Sequence, residues 1–227
     1  MRHALNASEW IITADNSAGI GNKPQDVVRA PDKLVAKLAA RVALLEQWAA
    51  GSEPEAVIMQ NFSGKTHWLR YMAGLDELFS EAQTVTPPIS GSSETNMTTM
   101  QSGIGVVMFG RQHTQLPGWA DLHWYVYGVP LVGEDVLTKT GLMADLGKIR
   151  NAFNENAITR IWPVGSKGVA HEAQQLTGRS GTVLAGTLDV DASGGPATCV
   201  LVGSVLQDVK ELQQHLGTAV VPLVFYE

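Results

Sequence analysis

The chain has no second cysteine, no basic run, no long hydrophobic stretch and no low-complexity tract. Each absence removes a class of answer. The single cysteine, Cys199, excludes an intramolecular disulfide, and its apolar setting in Ala197-Thr198-Cys199-Val200-Leu201-Val202-Gly203 reads as a buried thiol rather than a nucleophile. With 16 Lys and Arg against 22 Asp and Glu, and no cluster of basic residues, there is no electrostatic footprint for nucleic acid. No apolar run approaches the roughly 20 residues that a bilayer-spanning helix needs. Met1-Arg2-His3 leads into mixed polar sequence with no apolar leader core, so a cytoplasmic protein without a membrane partner is expected. His-x-x-x-His and Cys-x-x-Cys pairs are missing, which argues against zinc, and the scattered histidines offer no recognisable catalytic triad.

What is present is enough apolar residue, 44% of 227, to bury a substantial core. The most informative stretch is Pro87 to Arg111. It opens on a proline pair, passes through Ser90, Ser92, Ser93 and the carboxylate of Glu94, and closes in the glycine-bounded strand Gly103 to Gly110. A Ser- and Gly-rich loop with one carboxylate at a sheet edge suits a hard cation or a phosphate chain; a solvated loop is the plain alternative. Trp10 to Ala14 reads as a strand that ends by delivering Asp15 to the small-residue loop Asn16-Ser17-Ala18-Gly19-Ile20-Gly21. Residues 33 to 50 read as a helix capped by Asp32 and closed by Gly51, with Leu34, Leu38, Val42, Leu45 and Ala49 as its core stripe and Glu46 beside it. Glu46 fits either a rim charge or a carboxylate facing a cleft.

A strand at Ala56 to Phe62 and a helix from about Thr66 to Ala82 follow, with Leu69, Met72, Leu75, Leu78 and Phe79 inward. Between them Gly64-Lys65-Thr66 imitates the tail of a phosphate-binding P-loop, but Met59 stands where that pattern needs glycine, so the stretch reads as a helix start. Gln112 to Asp121 is polar and turn-rich, a plausible boundary. Beyond it come a strand (122–127), a helix (142–154), a strand (158–164) and a helix (168–176). Apolar strands follow near Val183, Val200 and Val221, with a helix at 208–216 between the last two. Elements mix without strict strand–helix alternation, which predicts an α+β fold. Pro163-Val164-Gly165-Ser166-Lys167-Gly168 joins a strand to a helix whose N-terminus could bind an anion with help from Lys167; a helix capped by Ser166 is the plain alternative. Asp15, Glu46 and Glu94 are candidate magnesium carboxylates, since magnesium needs few protein ligands when phosphates and water supply the rest.

These residues resemble a known family. Asp15 to Gly21 is similar to the first acidic loop of the aminoimidazole ribonucleotide synthetase (PurM-like) superfamily, which includes thiamine-phosphate kinase and selenophosphate synthetase. Glu46-Gln47-Trp48-Ala49-Ala50-Gly51, with Pro54 beyond, resembles its helix-then-glycine segment, although Leu45 and Glu46 stand where many members have asparagine and aspartate. Ser92-Ser93-Glu94-Thr95 resembles its Gly-Gly-Glu/Asp-Thr motif, and Val164 to Gly168 with Gly195 to Cys199 look most like the α-ribazole kinase branch. The resemblance implies two domains, 1–114 for Mg–ATP binding and dimerisation and a smaller 115–227 for the acceptor. It implies a mixed-sheet first domain and an ATP- and Mg2+-dependent kinase that phosphorylates an alcohol, with α-ribazole the favoured acceptor. Asp15 and Lys167 would be catalytic; Asp15, Glu46 and Glu94 would hold metal. Asn16, Ser17, Gly19, Gly21, Asn61, Ser92, Ser93, Thr95, Ser166 and Gly168 would bind nucleotide or acceptor. The partners implied are a small-molecule acceptor and a second copy of the chain. Two other readings stay open: an enzyme that activates a carbonyl or amide oxygen as a phosphate ester, and a non-catalytic nucleotide-binding dimer.

Overall fold

Strand and helix periodicities alternate unevenly along the chain, and the architecture they produce is α+β. The computed structural model describes residues 4–7 and 9–226, which divide between Thr114 and Gln115 into two compact units.

The first unit runs β1 (Leu5–Ala7), β2 (Trp10–Ala18), β3 (Ile20–Gly21), β4 (Val28–Arg29), α1 (Asp32–Ala49), β5 (Ser52–Asn61), α2 (Trp68–Glu81), β6 (Ile89–Ser93) and β7 (Gly103–Gln112). Its five-stranded sheet has the order β1-β2-β7-β5-β6. Only the β5–β6 pair is parallel, so the sheet is mixed. The period-two pattern sorts β7 cleanly: Ile104, Val106 and Met108 are buried, while Val107 and Phe109 face the other way and are half-buried. The buried side meets α1. Thr13 Oγ1 donates to Ala43 O at 2.8 Å, and Gln47 Nε2 donates to Ile11 O and Met108 O at 2.9 and 3.0 Å. Ala36, Ala40 and Ala43 are fully buried and let the helix approach closely. Of the expected stripe, Leu45 and Ala49 are buried, whereas Leu34, Leu38 and Val42 are displaced and half-buried on the helix flank. In α2, Tyr71 rather than Leu69 is buried, and Leu69 is 79% exposed. Leu44, Leu75 and Leu78 have no exposed surface, and each contributes about 2 kcal/mol of hydrophobic stabilisation.

Two boundaries differ from expectation for local reasons. Pro31, extended at φ −61° and ψ 138°, takes the cap position of α1, so Asp32 falls in the first turn, where its charge faces the positive end of the helix dipole. Strand β2 does not stop at Ala14. Asp15, Asn16 and Ser17 stay paired with β7 through Ala18, because the small side chains cost the ladder nothing, and the turn comes at Gly19 (φ +71°). Likewise the hydroxyl-rich stretch before Glu94 is not a loop but β6, held against β5. Gly91 is required there, since a Cβ at that position would run into Met59 O.

The second unit contains β8 (His123–Tyr127), α3 (Glu134–Thr138), α4 (Leu146–Asn154), β9 (Arg160–Pro163), α5 (Gly168–Thr177), β10 (Thr182–Leu184), β11 (Val200–Ser204), α6 (Val209–Leu216), β12 (Val220–Pro222) and β13 (Val224–Tyr226). Four strands form an antiparallel sheet in the order β12-β8-β11-β9, and β10 pairs with β13 as a separate ribbon. Asp145 and Asp208 cap α4 and α6, accepting from Lys148 N at 2.9 Å and Lys210 N at 2.8 Å. Val126, Val164, Val169, Ala173, Cys199 and Leu201 form the core, and Cys199 is fully buried as a structural thiol. Among the described residues no helix is long and apolar enough to cross a membrane.

Candidate functional site at the end of the first sheet

Strand register decides which candidate residues meet. Ser17, Ile104, Asn61 and Ser93 lie in one row across β2, β7, β5 and β6; Asn16, Gly105, Gln60 and Ser92 form the next; Asp15, Val106, Met59 and Gly91 the one after. One end of one sheet thus collects Asp15, Asn16, Ser17, Asn61, Ser92 and Ser93, with Glu94 immediately beyond, its N–H donating to Asn61 O at 2.8 Å.

The hydrogen bonds there make a fixed frame. Asn61 Nδ2 donates to Ser93 Oγ and to Gly64 O, both at 2.9 Å, while its Oδ1 accepts from Ser63 N at 2.9 Å. Ser63 Oγ accepts from Gly103 N at 2.9 Å and lies 2.7 Å from the Tyr71 hydroxyl. Gly19 N donates to Ser102 O, and Gly21 packs against Ser102 and Asp26. Asp26, which the motif reading missed, holds this corner. Its carboxylate accepts from Ser102 N, Ser102 Oγ and Lys23 N, each at 2.7 Å. Burial opposes its charge, yet those bonds and the nearby Arg29 hold its pKa below the ordinary carboxylate value. Its only sequence signal was a carboxylate three residues after Lys23, suited to bonding back to its own loop. Asp32 does more than open α1. Its side chain is fully buried, pairs through Oδ2 with Arg70 and with His67 Nδ1 at 2.9 Å, and leaves Oδ1 without a hydrogen-bond partner.

Asp15 differs from both. Burial pushes its pKa up to about 6, with the Asn16 N–H pulling back against it. Glu94 is half-buried, and its Oε1 accepts from Asn96 N and Met97 N at 2.7 and 3.0 Å, which lowers its pKa.

The three acidic candidates do not converge. Glu46 is buried on α1 beside Gln47, which bonds the start of β2, so it sits about 13 Å back along the strand from Asp15. Glu94 lies three strand spacings across the sheet from β2, roughly 14 Å. Among the described residues no group of at least three His, Cys, Asp or Glu side chains could hold a metal ion. The expected single three-carboxylate centre is corrected to carboxylates spread along the sheet. Asp15 alone, a desolvated carboxylate, fits a hard divalent cation as a single protein ligand, with phosphate and water supplying the rest. Thr95 is exposed beyond Glu94, and Lys65 is exposed on a short helical turn, consistent with a helix start.

In the second unit the two motif segments pack together. Gly194 N donates to Gly165 O at 2.9 Å, Val164 N to Cys199 O at 3.2 Å and Thr198 N to Gly194 O at 2.8 Å. Lys167, not Ser166, takes the cap position of α5, and no side chain caps the helix. Ser166 and Lys167 are exposed, and Gly168 is buried against Val190 and Asp191.

No protein-family model matches the chain, and no curated protein matches it significantly. Solved structures do. Thiamine monophosphate kinase from Aquifex aeolicus superposes with a TM-score of 0.62 at 14% identity, over 97% of this chain and 86% of that one. A structure of AaThiL complexed with AMPPCP and TMP gives 0.54 at 12% identity, over 99% of this chain and 84% of that one. T. maritima PurL complexed with AMPPCP gives 0.57 at 12% identity, over 98% of this chain and 42% of that one. The fold is therefore PurM-like.

Proposed function

We propose that the protein is an ATP-dependent phosphotransferase that passes the γ-phosphoryl group of Mg–ATP to an alcohol. The observation that carries the reading is the end of the first sheet. A desolvated carboxylate, Asp15, lies on the same sheet two rows back from the row that carries Ser17 and the Asn61–Ser93 frame, in a fold whose neighbours have been solved with an ATP analogue. Phosphoryl transfer asks a protein mainly to position phosphates and neutralise their charge. Asp15 would hold a magnesium ion, which supplies charge neutralisation on the phosphates when bound. The Ser17–Gly21 turn and the Ser92–Thr95 edge would offer N–H and hydroxyl donors to phosphate oxygens. Glu94 keeps Oε2 for a second ion at the phosphate end, while Glu46, buried along α1, would act through the helix rather than at the phosphate. Lys167 and the exposed α5 N-terminus, with Ser166 and Gly168, would receive the acceptor or its phosphate.

The acceptor we assign first is α-ribazole, on the two loops that Gly165 and Gly194 join. The assembly we assign is a homodimer. The sheet face opposite α1 carries Ile12, Ile58, Val107 and Phe109, all half-buried, with Arg111 stacked 4.0 Å over Trp10 at its edge. The domain roles follow: residues up to 114 bind nucleotide and dimerise, and 115–227 hold the acceptor.

Isothermal titration with Mg–ATP, followed by ADP release in the presence of α-ribazole and other alcohols, tests the reading. Micromolar binding with acceptor-dependent ADP release is the expected result. Absence of nucleotide binding overturns it, and binding without transfer to any acceptor leaves the non-catalytic dimer. Light scattering should give twice the 24.3 kDa chain mass.

A further inference from the structure

The second unit contains a cleft that the phosphotransfer reading does not use. It has a volume of about 230 Å³ and opens where α5 ends, at the opposite end of that helix from Ser166 and Lys167. Its walls are Trp119, Trp124 and Phe225, with Thr177, Arg179 and His123 as the polar lining. The sequence builds it locally. Gly178, left-handed at φ +69°, closes α5 through its N–H to Gln174 O at 2.8 Å, a conformation that a residue with a Cβ adopts only under strain. The chain then turns so that Arg179 N donates to Thr177 Oγ1 at 3.2 Å. The guanidinium consequently lies over two rings, 5.0 Å from the Trp119 centroid and 5.7 Å from that of Phe225. Trp124 Nε1 donates to Trp119 O at 2.9 Å, so its polar atom is satisfied and its ring is left as apolar wall.

We infer that this cleft binds a planar aromatic ring carrying an anionic group, with the ring between the tryptophan and phenylalanine walls and the anion on Arg179. Three observations point the same way. The volume suits one ring system and its substituent rather than a nucleotide. Arg179 is exposed at the mouth, oriented by the two rings, and no carboxylate pairs with it among the described residues. Among the described residues no acidic side chain lines the cleft, in a chain of net charge −6. A guanidinium whose plane is fixed by stacking loses little freedom when it forms paired hydrogen bonds to a carboxylate or phosphate. The aromatic walls supply the stacking energy and the preference for a flat ligand.

Phenyl phosphate titrated into the full chain tests this, read by the indole N–H resonances of Trp119 and Trp124 in 1H–15N spectra. Saturable shifts of those two resonances are expected. Phenol and inorganic phosphate, each carrying half the recognition, should bind at least about tenfold more weakly, as should phenyl phosphate to Arg179→Ala. Benzoate that binds with the same Arg179 dependence supports the site equally and identifies carboxylate as its head group. The inference is overturned if no saturable shift occurs, if phenol binds as tightly as phenyl phosphate, if inorganic phosphate alone does, or if Arg179→Ala binds unchanged. Should Arg179→Ala melt early, Arg179→Lys carries the decision: it keeps the charge but not the planar stack, and a loss of at least about threefold is expected.

Discussion

Two carboxylates at one end of the same sheet live in opposite circumstances. Asp26 is enclosed by donors, with two from Ser102 and one from Lys23, and its pKa falls. Asp15 is enclosed by little except its own backbone neighbour, and its pKa rises to about 6. Both are acidic residues near glycine-containing turns, so composition does not separate them. Their surroundings do. A carboxylate whose lone pairs are filled by the protein holds the chain together, and one desolvated without partners favours either a proton or a cation.

The largest effect should come from breaking the filled site. Asp26→Ala leaves Ser102 N–H and Lys23 N–H without their acceptor and releases the turn after Gly19, so a loss of about 2–4 kcal/mol is expected, read from the urea midpoint. A change under about 0.5 kcal/mol would erase the contrast.

The unfilled site should respond with the opposite sign. Asp15→Asn removes a carboxylate that folding desolvates. At pH 8 without nucleotide the variant should gain about 1–2 kcal/mol, a figure reduced for the water that still reaches the half-buried side chain. The pH dependence follows from the direction of the shift. A carboxyl whose folded pKa lies above its unfolded value of 3.8 adds stability below that value, and the addition fades as pH rises through about 6. The advantage of Asp15→Asn over wild type should therefore grow between pH 4 and pH 7. Asp26 works the other way, contributing above its unfolded pKa and losing that contribution as pH falls through its lowered one. Chemical denaturation of wild type and both variants across this range separates the two signs.

The smallest effect sharpens the comparison by leaving it alone. Lys65 is exposed, so Lys65→Ala should change Mg–ATP affinity by less than about threefold, or under ~1 kcal/mol, in a calorimetric titration.

Much of this was legible in the sequence, and the remainder was hidden for physical reasons. Strand and helix periods located nearly every element, and Gly51 did close α1. The pattern placed Leu45 and Ala49 in the core but misplaced the face of α1 at Leu34, Leu38 and Val42, because alanine is too small to register as a stripe yet is what lets a helix approach a sheet. Asp15, Asn61 and Ser92–Ser93 were chosen from motifs, but their assembly into adjacent rows is set by long-range register that no local spacing contains. The bond from Gln47 to Ile11 sets Glu46 back along the strand from Asp15. Asp26 and Ser102 were invisible as a pair, because their bond joins distant segments, and the Arg179 cleft is built from three separate stretches of chain.

The central claim, that Asp15 is left unfilled in order to meet a magnesium-bound phosphate, has a direct measurement in thermal melting of wild type and Asp15→Asn with and without Mg–ATP. Ligand-linked stabilisation follows RT ln(1 + [L]/Kd), so at about a hundred times Kd wild type should gain roughly 2.7 kcal/mol. Asp15→Asn should begin at or above wild type and gain less than about a third as much. An equal gain in both proteins would contradict the account.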